Sequence, residues 1–244
     1  MRHIGSRPVG ADGRHGGARR EPVASRVVWQ AASLCLSYPE ETLLARGPLL
    51  RQGLSEAAPD QWPNFAALLV SWLSTALPEL QTEYVEIFDL SRKYALDLSY
   101  WTDGDTRRRG EVLASFKARY RASGFLGNLR GELPDHLPVV LEYAALVDPL
   151  DGAALLQEYR PSLELLRLAL LDRAPAYGGI VQAVCSTLPG ESPGDRQTVL
   201  TIARNGPPTE SVGLDPYDAR LLPLAEVHGG RHGDRHPSLA RESG

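Results

Sequence analysis

The sequence predicts an all-α fold, a single globular domain of roughly eight to ten helices. Apolar residues recur three and four positions apart along most of the chain, and no segment alternates apolar and polar residues as a half-buried strand does. The 244 residues are 43% hydrophobic, which is enough to bury one large core. No run approaches the roughly 18 apolar residues that cross a bilayer, so we expect membrane association only through a partner.

The two ends of the chain lack helical periodicity. Residues 1–24 are rich in Gly, Arg and His and are predicted to be a disordered N-terminal extension. Residues 25–205 carry the predicted helical domain. Residues 206–244 are predicted to be an extended or disordered C-terminal tail.

Charge and metal-binding residue types limit the function classes. A net charge of −4 and a pI near 5.9 argue against a general nucleic-acid binder. Cys35 and Cys185 lie far apart inside apolar stretches, which predicts no disulfide framework and fits a reducing cytoplasm. His228, His232 and His236 would line one face of a helix and hold Ni²⁺ or Zn²⁺, but the glycines between them disfavour that helix. No metal site is predicted.

The first predicted helix begins near Arg26 and ends at Tyr38-Pro39, because the residue before a proline disfavours the helical conformation. A short helix from Glu40 to Ala45 follows. The next helix is predicted by a core stripe that Pro78 interrupts, formed by Phe65, Leu68, Leu69, Trp72 and Ala76.

The stretch from Glu83 to Leu98 is predicted as one helix with two contrasting faces. One side carries Tyr84, Ile87, Phe88, Ala95 and Leu98, and the opposite side carries Glu86, Asp89, Lys93 and Asp97. Two interpretations of the acids stay open. They form i,i+4 pairs on a solvated surface, each contributing about 0.2–0.5 kcal/mol, or they rim a groove that grips a basic or amphipathic segment.

A turn with several charges joins this helix to the next one. Gly104-Asp105-Thr106 predicts a helix start that Asp105 or Thr106 caps. The three arginines Arg107 to Arg109 would then lie at the positive end of the helix dipole, where cations are disfavoured. They require a carboxylate partner, which Asp103, Asp105 or an acid across a groove could supply.

Asp135 is predicted to be the N-cap of a helix that has Pro138 in its first turn. That helix is almost wholly apolar to Val147, so Glu142 is predicted to be a buried carboxylate with a partner. His136 has two interpretations, a capping-turn histidine with a structural hydrogen bond or a groove residue that contacts a ligand.

Three further helical patterns complete the domain. The pattern from Leu155 to Leu170 contains Pro161, which must kink the helix or divide it in two. The other two run from Tyr177 to Leu188 and from Asp195 to Ala203.

Several of these motifs resemble the NarJ family, the nitrate reductase molybdenum cofactor assembly chaperones, once called the delta subunit and grouped with TorD- and DmsD-like chaperones. The residues that carry the resemblance are Glu83–Asp89, Gly104–Gly110, Glu132–Glu142, Gly206–Pro208 and Val212–Tyr217. The resemblance covers roughly residues 26–220 and leaves out both ends of the chain.

The resemblance implies a TorD/NarJ-like helical bundle that is cytoplasmic, is not an enzyme and carries no cofactor. Its partner would be the apo catalytic (alpha) subunit of a molybdenum-dependent respiratory nitrate reductase, bound mainly through the N-terminal segment of that subunit. The chaperone would keep this subunit competent for molybdenum cofactor insertion and delay its docking on the membrane subunit.

The predicted client-peptide site has a floor, a rim and a frame. The floor is Tyr84, Ile87 and Phe88, and the rim is Glu83, Glu86 and Asp89. The frame consists of Asp105, Arg109, Asp135 and His136, and Tyr100 and Glu142 complete the site. Charge reversal at Glu86 or Asp89 is the expected probe of the rim.

Two other function classes stay open. A helical hydrolase would need a nucleophile beside a base, and the sequence has no GxSxG, HExxH or phosphate-loop motif. His136 is the residue whose mutation would test that class. The second class is a helical protein-binding regulator or DNA-binding module without chaperone activity. DNA binding would use the basic residues Arg107 to Arg109, Lys117, Arg119 and Arg121.

Overall fold

The computed structural model describes residues 22–103, 107–125, 129 and 131–205, and every regular element in these ranges is helical. The α-helices are α1 (Val23–Cys35), α2 (Glu41–Leu44), α3 (Gly47–Ala57), α4 (Trp62–Ser74), α5 (Leu77–Tyr84), α6 (Tyr100–Asp103), α7 (Arg107–Ala122), α8 (Leu137–Glu142), α9 (Pro149–Glu158), α10 (Arg160–Arg173), α11 (Pro175–Ser186) and α12 (Arg196–Asn205). Apart from the four-residue α2 and α6, the described α-helices exceed one turn. The all-α prediction is confirmed.

Prolines mark where many of these helices begin. A proline lies in the first turn of α3, α4, α5, α8, α9, α10 and α11. The position tolerates proline because its missing N–H would have no partner within the helix. Pro161 therefore divides α9 from α10, which was one of the two predicted alternatives.

Helix α1 occupies the centre of the bundle and packs against α3, α8 and α11. Its Trp29 is fully buried, and the indole Nε1 donates a hydrogen bond to Thr187 Oγ1 at the end of α11 over 2.8 Å. Ser33, also buried, donates to the carbonyl of Pro138 over 2.8 Å. These two contacts tie α1 to the end of α11 and to the start of α8.

Helices α10 and α11 form the most extensive helix pair, and small residues allow their close approach. A Cβ atom at Gly178 would lie only 2.7 Å from the backbone nitrogen of Leu171. A Cβ atom at Gly179 would lie 2.6 Å from the carbonyl oxygen of Asn64 in α4. Glycine at these two positions therefore sets how closely α11 packs on its neighbours.

A buried ion network, which the sequence analysis did not predict, connects α10 to the loop after α11. Glu164 is 2% exposed, and its two oxygens accept from Arg160 Nη2 at 3.3 Å and Arg167 Nε at 2.6 Å. Ser192 Oγ also donates to Glu164, over 2.7 Å. The two arginines donate to carbonyls in the same loop, Arg160 to Pro189 and Gly190 and Arg167 to Pro193. Loop and helix are therefore held by charge-assisted bonds.

The prediction of one helix from Glu83 to Leu98 is wrong. Helix α5 continues as a π-helical turn, Val85–Asp89, and ends there. After a 3₁₀ turn at Arg92–Tyr94 the chain is extended, and Asp97 forms an isolated antiparallel bridge with His136. The side chain of Asp97 consequently does not belong to a helical polar face.

Two predictions for the segment around α8 are also wrong. The N-cap position of α8 is His136, without a side-chain cap, and Asp135 binds Ser99 instead. Glu142 is exposed, because α8 turns this side chain toward a surface cleft while Val140 and Leu141 face the core. Beyond Glu142 the helix continues as a π-helical turn, Tyr143–Val147.

Candidate functional site

A cleft of about 980 Å³ opens on one side of the bundle. One wall comes from the second half of α1, the following turn and α2, and the other from Val139 and Glu142 on α8. The π-helical turn after α5 and the extended segment at Ala95–Asp97 contribute its base. Phe125, Leu129 and Glu132 complete the lining.

Aromatic rings form the floor of the cleft. Tyr84 and Phe88 are one turn apart with ring centroids at 4.7 Å, and Tyr177 meets Phe88 edge-on at 5.0 Å. Tyr38 stands edge-on to Tyr84 at 5.5 Å and is 43% exposed. Tyr84 Oη donates to the carbonyl of Leu36 over 3.0 Å, and burial raises the pKa of this tyrosine far above its usual value. The floor is therefore apolar, neutral and held in a fixed position.

Carboxylates surround this floor. Glu40, Asp89, Glu132 and Glu142 line the cleft and are exposed; these four are called the acidic rim. Among the described residues that line the cleft, Arg46 alone carries a permanent positive charge. Because four acids face one arginine, the cleft attracts cations and excludes acidic segments.

At the base of the cleft Asp97 lies between Arg109 and His136. Its Oδ2 accepts from Arg109 Nη2 at 3.0 Å, and its Oδ1 lies 3.4 Å from His136 Nδ1. Burial would raise the pKa of Asp97, but the hydrogen bonds and charges of His136 and Arg109 outweigh burial and hold the pKa below its usual value. The carboxylate therefore stays ionised, joining α7 to the segments on both sides of the bridge.

Behind this pair lies Asp135, which is completely buried. Its Oδ2 accepts from the backbone N–H of Ser99 at 3.0 Å and from Ser99 Oγ at 2.5 Å, while Arg109 Nη2 is 4.0 Å away. Burial raises the pKa of Asp135, and the bonds from Ser99 only partly offset that effect. Asp135 therefore supports the bridge from the core and does not face the cleft.

The structure brings five of the predicted site residues to the lining of the cleft. They are Tyr84, Phe88, Asp89, His136 and Glu142. The other described ones, Glu83, Glu86, Ile87, Tyr100, Arg109 and Asp135, do not line it. Asp105 lies outside the described residues.

The residues that do not line the cleft have identifiable positions. Ile87 is buried in the core, and Glu83 and Glu86 are exposed elsewhere on the same turn. The guanidinium carbon of Arg109 lies 5.9 Å from the ring centre of Tyr100. Arg109 also has a carboxylate partner of the kind that the sequence predicts for this joint, because its Nη2 lies 3.0 Å from Asp97 Oδ2.

Sequence reasoning missed the wall formed by α1 and α2. Gln30, Ser33 and Ser37 recur at i, i+3 and i+7 in an otherwise apolar helical stretch, and all three line the cleft. That polar stripe on a core helix was the available signal. Tyr38 and Glu40 carry no such local signal, because only the fold brings Tyr38 beside Tyr84 and Glu40 to the cleft.

Arg119, a basic residue of the alternative DNA-binding surface, already has acidic partners. Arg119 lies 3.7 Å from Asp151 and 3.2 Å from Glu158. Because the charge of Arg119 is already paired with acids of α9, this arginine is poorly placed to contact the phosphates of a nucleic acid.

The described part of the chain has neither a cluster of metal ligands nor a membrane-spanning helix. No three His, Cys, Asp or Glu side chains are grouped there as ligands of a metal ion. In the same residues, no helix has the length and apolar character that a membrane span requires.

Known proteins are similar to this chain in sequence and in fold. The family described as the nitrate reductase delta subunit matches residues 51–179, just over half of the 244 residues. The nitrate reductase-like protein NarX of Mycobacterium tuberculosis H37Rv is 43% identical over 162 residues, which are 66% of this chain and 24% of NarX. This chain therefore spans about a quarter of the length of NarX.

One more relative and one solved structure match over most of their own length. A Bacillus subtilis protein named as a probable nitrate reductase molybdenum cofactor assembly chaperone, NarJ, is 29% identical over 178 residues, 71% of this chain and 94% of that protein. A crystal structure from Archaeoglobus fulgidus, described as a redox enzyme maturation protein, superposes with a TM-score of 0.51. The two sequences are 18% identical, and the match covers 71% of this chain and 98% of the Archaeoglobus chain. At this identity the match is evidence for the fold alone. By its match to the family over residues 51–179, the chain belongs to the nitrate reductase delta subunit family.

Proposed function

We propose that this protein is a non-catalytic assembly chaperone for a molybdenum-dependent nitrate reductase. It binds the apo catalytic subunit, keeps it competent for molybdenum cofactor insertion and releases it before the subunit docks on the membrane. The family assignment and the chaperone name of the Bacillus subtilis relative support this role. We place the activity in the cytoplasm, where such a subunit would be assembled.

The cleft carries the proposal for how the client is held. An aromatic floor bordered by the acidic rim complements an amphipathic helix whose apolar residues face inward and whose Arg or Lys residues lie at the edges. Carboxylates grip arginine through paired, charge-assisted hydrogen bonds. We therefore propose that the N-terminal segment of the catalytic subunit binds here as a helix with at least one basic edge.

The alternative hydrolase is less well supported by the positions of its polar groups. A serine nucleophile must donate its hydroxyl to the histidine that acts as its base. In this structure the Ser99 hydroxyl is buried and donates to Asp135, while His136 faces Asp97. These contacts support the bridge between two segments and do not activate a nucleophile.

The experiment is isothermal titration calorimetry with a peptide that copies the first 15 to 30 residues of the catalytic subunit from the same organism. Asp89→Lys is the test variant, and Glu86→Lys is its matched control on the same turn. Both side chains are exposed, but only Asp89 lines the cleft. We expect Asp89→Lys to weaken binding about tenfold or more, since it replaces an attraction by a repulsion worth roughly 1.4 kcal/mol.

Two outcomes contradict the proposal at different levels. Equal weakening by both folded variants, or by neither, would show that the peptide binds outside the cleft. Absence of binding both to the peptide and to the intact apo subunit would contradict the chaperone role itself. Circular dichroism of each variant provides the check that the helical fold is retained.

A further inference from the structure

We propose that the acidic cleft has a second ligand, the basic segment formed by residues 1–21 of the same chain. This segment would occupy the cleft in the absence of a client and be displaced by the client. The binding step is independent of the proposed function, whereas the competition step rests on it.

Charge complementarity is the first argument. Residues 1–21 contain five arginines, Arg2, Arg7, Arg14, Arg19 and Arg20, but only two acids. With five arginines and two acids the segment has a formal net charge of +3, whereas the whole chain has a net charge of −4. The acidic rim presents four exposed carboxylates within one cleft. A tethered polycation beside an acidic concavity is attracted to it through the field of all four groups.

The point of attachment provides the second argument. Residues 1–21 join the fold just before α1, and α1 itself lines the cleft at Gln30, Ser33 and Leu34. Gln30 is seven residues from Val23, which is about 10 Å along a helix axis. An extended chain advances about 3.3 Å per residue, so four or five residues return as far as Gln30. The arginines farther from α1 therefore have ample length to reach the rim.

A second, apolar groove adjoins the cleft along α1. An apolar groove of about 360 Å³ runs between α1 and α3, beginning with Val27, one turn after the start of α1. It shares Gln30, Leu34 and Arg46 with the acidic cleft. Leu49 in this groove is 68% exposed, which leaves apolar surface for Ile4 or Val9 of the segment to cover. Groove and cleft together form one path for an extended segment.

Because residues 1–21 are tethered to the fold, weak contacts are sufficient to hold them in the cleft. A flexible tether holds a segment at an effective concentration in the millimolar range, so an intrinsic dissociation constant near that range already gives substantial occupancy. A client must then compete with the segment, and its apparent association constant equals the intrinsic constant multiplied by the fraction of protein whose cleft is free. The segment would thus cover the aromatic floor until a client displaces it.

Carbodiimide coupling in the full-length chain tests this contact. The coupling joins a lysine amine to a carboxylate as an amide, while the carbodiimide takes up the lost oxygen and becomes a urea. The sequence has only two lysines, Lys93 and Lys117, so a variant with Arg7→Lys and Arg14→Lys introduces two new reporters. We expect the monomeric product to contain links from these positions to the acidic rim, and these links to disappear in about 0.5 M salt because exposed charges are then screened. Asp172 and Glu191, which are exposed and do not line the cleft, are the control carboxylates.

Links to the control carboxylates as abundant as links to the rim would overturn the proposal. So would a product linked only between two chains, or the absence of links at low salt. The second arm replaces all five arginines of the segment by glutamine and measures the affinity of the client peptide. We expect about fivefold tighter binding, and an unchanged affinity would overturn the competition. If neither protein binds the peptide, the proposed function fails, while the coupling result still decides whether the segment occupies the cleft.

Discussion

Asp97 and His136 face each other across the only backbone bridge in the described residues, although 39 positions separate them in sequence. Leu98 N donates to the Asp135 carbonyl at 3.1 Å, and Leu137 N donates to the Leu96 carbonyl at 2.8 Å. The central pair therefore exchanges no backbone hydrogen bonds, which is the type of antiparallel pair whose side chains lie closest together. This geometry delivers the Asp97 carboxylate to both His136 and Arg109.

Replacing Asp97 by asparagine is predicted to destabilise the fold in a pH-dependent way. The pKa of Asp97 lies below its usual value of 3.8. At pH values near 4 and below, the folded protein therefore binds fewer protons at this group than the unfolded chain does. The carboxylate thus stabilises the fold above about pH 4, and this contribution is lost as pH falls through the lowered pKa. We expect Asp97→Asn to cost about 1–3 kcal/mol at pH 7.

Urea unfolding of both proteins at pH 7 and near pH 3 measures that difference. The deficit of the variant should shrink at the lower pH, because the unfolded wild-type chain then takes up a proton at this carboxyl group and the stabilising effect of the charge decreases. An equal deficit at both pH values would show that lost packing, and not charge, causes the effect.

Local periodicity predicted most helices because a helix is fixed by neighbours three and four residues away. It failed after Asp89, where the apolar and polar faces continue in the sequence but the chain leaves the helix. The extended conformation there is stabilised by hydrogen bonds to Asp135 and Leu137, far along the chain. No pattern within a short window records such a pairing.

The candidate site was predictable only in part for the same reason. Tyr84, Phe88 and Asp89 were found because one short motif contains both apolar and acidic groups. The prediction for Glu142 failed because a run of apolar neighbours indicates burial of the helix but not the direction of each side chain. Tyr38 reaches the edge of the cleft through tertiary packing against Tyr84, which composition cannot show.

Removing the charge of Glu164 is predicted to be strongly destabilising. Glu164→Leu would leave Arg160 and Arg167 without the carboxylate that lies between them in the core. Breaking a buried pair typically costs about 3–5 kcal/mol, because the remaining charge stays desolvated. Guanidinium chloride unfolding provides the measurement. Asp172→Leu, at an exposed position of the same helix, is the control and should change the unfolding free energy by less than about 0.5 kcal/mol.

Adding one methyl group to α11 is predicted to force helices apart. In Gly179→Ala the new Cβ would meet the Asn64 carbonyl at 2.6 Å, a backbone atom that cannot rotate away. Overpacking of this kind typically costs about 1–3 kcal/mol. Gly110→Ala is the matched control, because its Cβ would meet nothing within 4 Å on exposed α7.

In thermal unfolding, Gly179→Ala should have a lower melting temperature than the wild type. Gly110→Ala should have a higher melting temperature than the wild type, since alanine is about 0.5–1 kcal/mol more favourable than glycine inside a helix. A stabilised Gly179→Ala would show that α4 and α11 can shift without loss of packing.

Tyr38 is predicted to contribute to client binding more than to folding. Its ring is 43% exposed at the edge of the cleft, so little buried area is lost when it is removed. Exposed aromatic side chains beside a fixed apolar floor are frequent anchors in interfaces. We expect Tyr38→Ala to weaken client-peptide binding about tenfold, equivalent to roughly 1.4 kcal/mol.

Calorimetric titration of three variants separates this role from a general loss of apolar surface. Tyr38→Phe should bind within about twofold of the wild type, because the ring and its edge-on contact with Tyr84 remain. Leu73→Ala, at a 76% exposed position of α4 that does not line the cleft, should leave binding unchanged. If Tyr38→Ala also binds normally while its fold is intact, the client does not contact the ring, and the apolar face of the client must lie deeper, against Phe88.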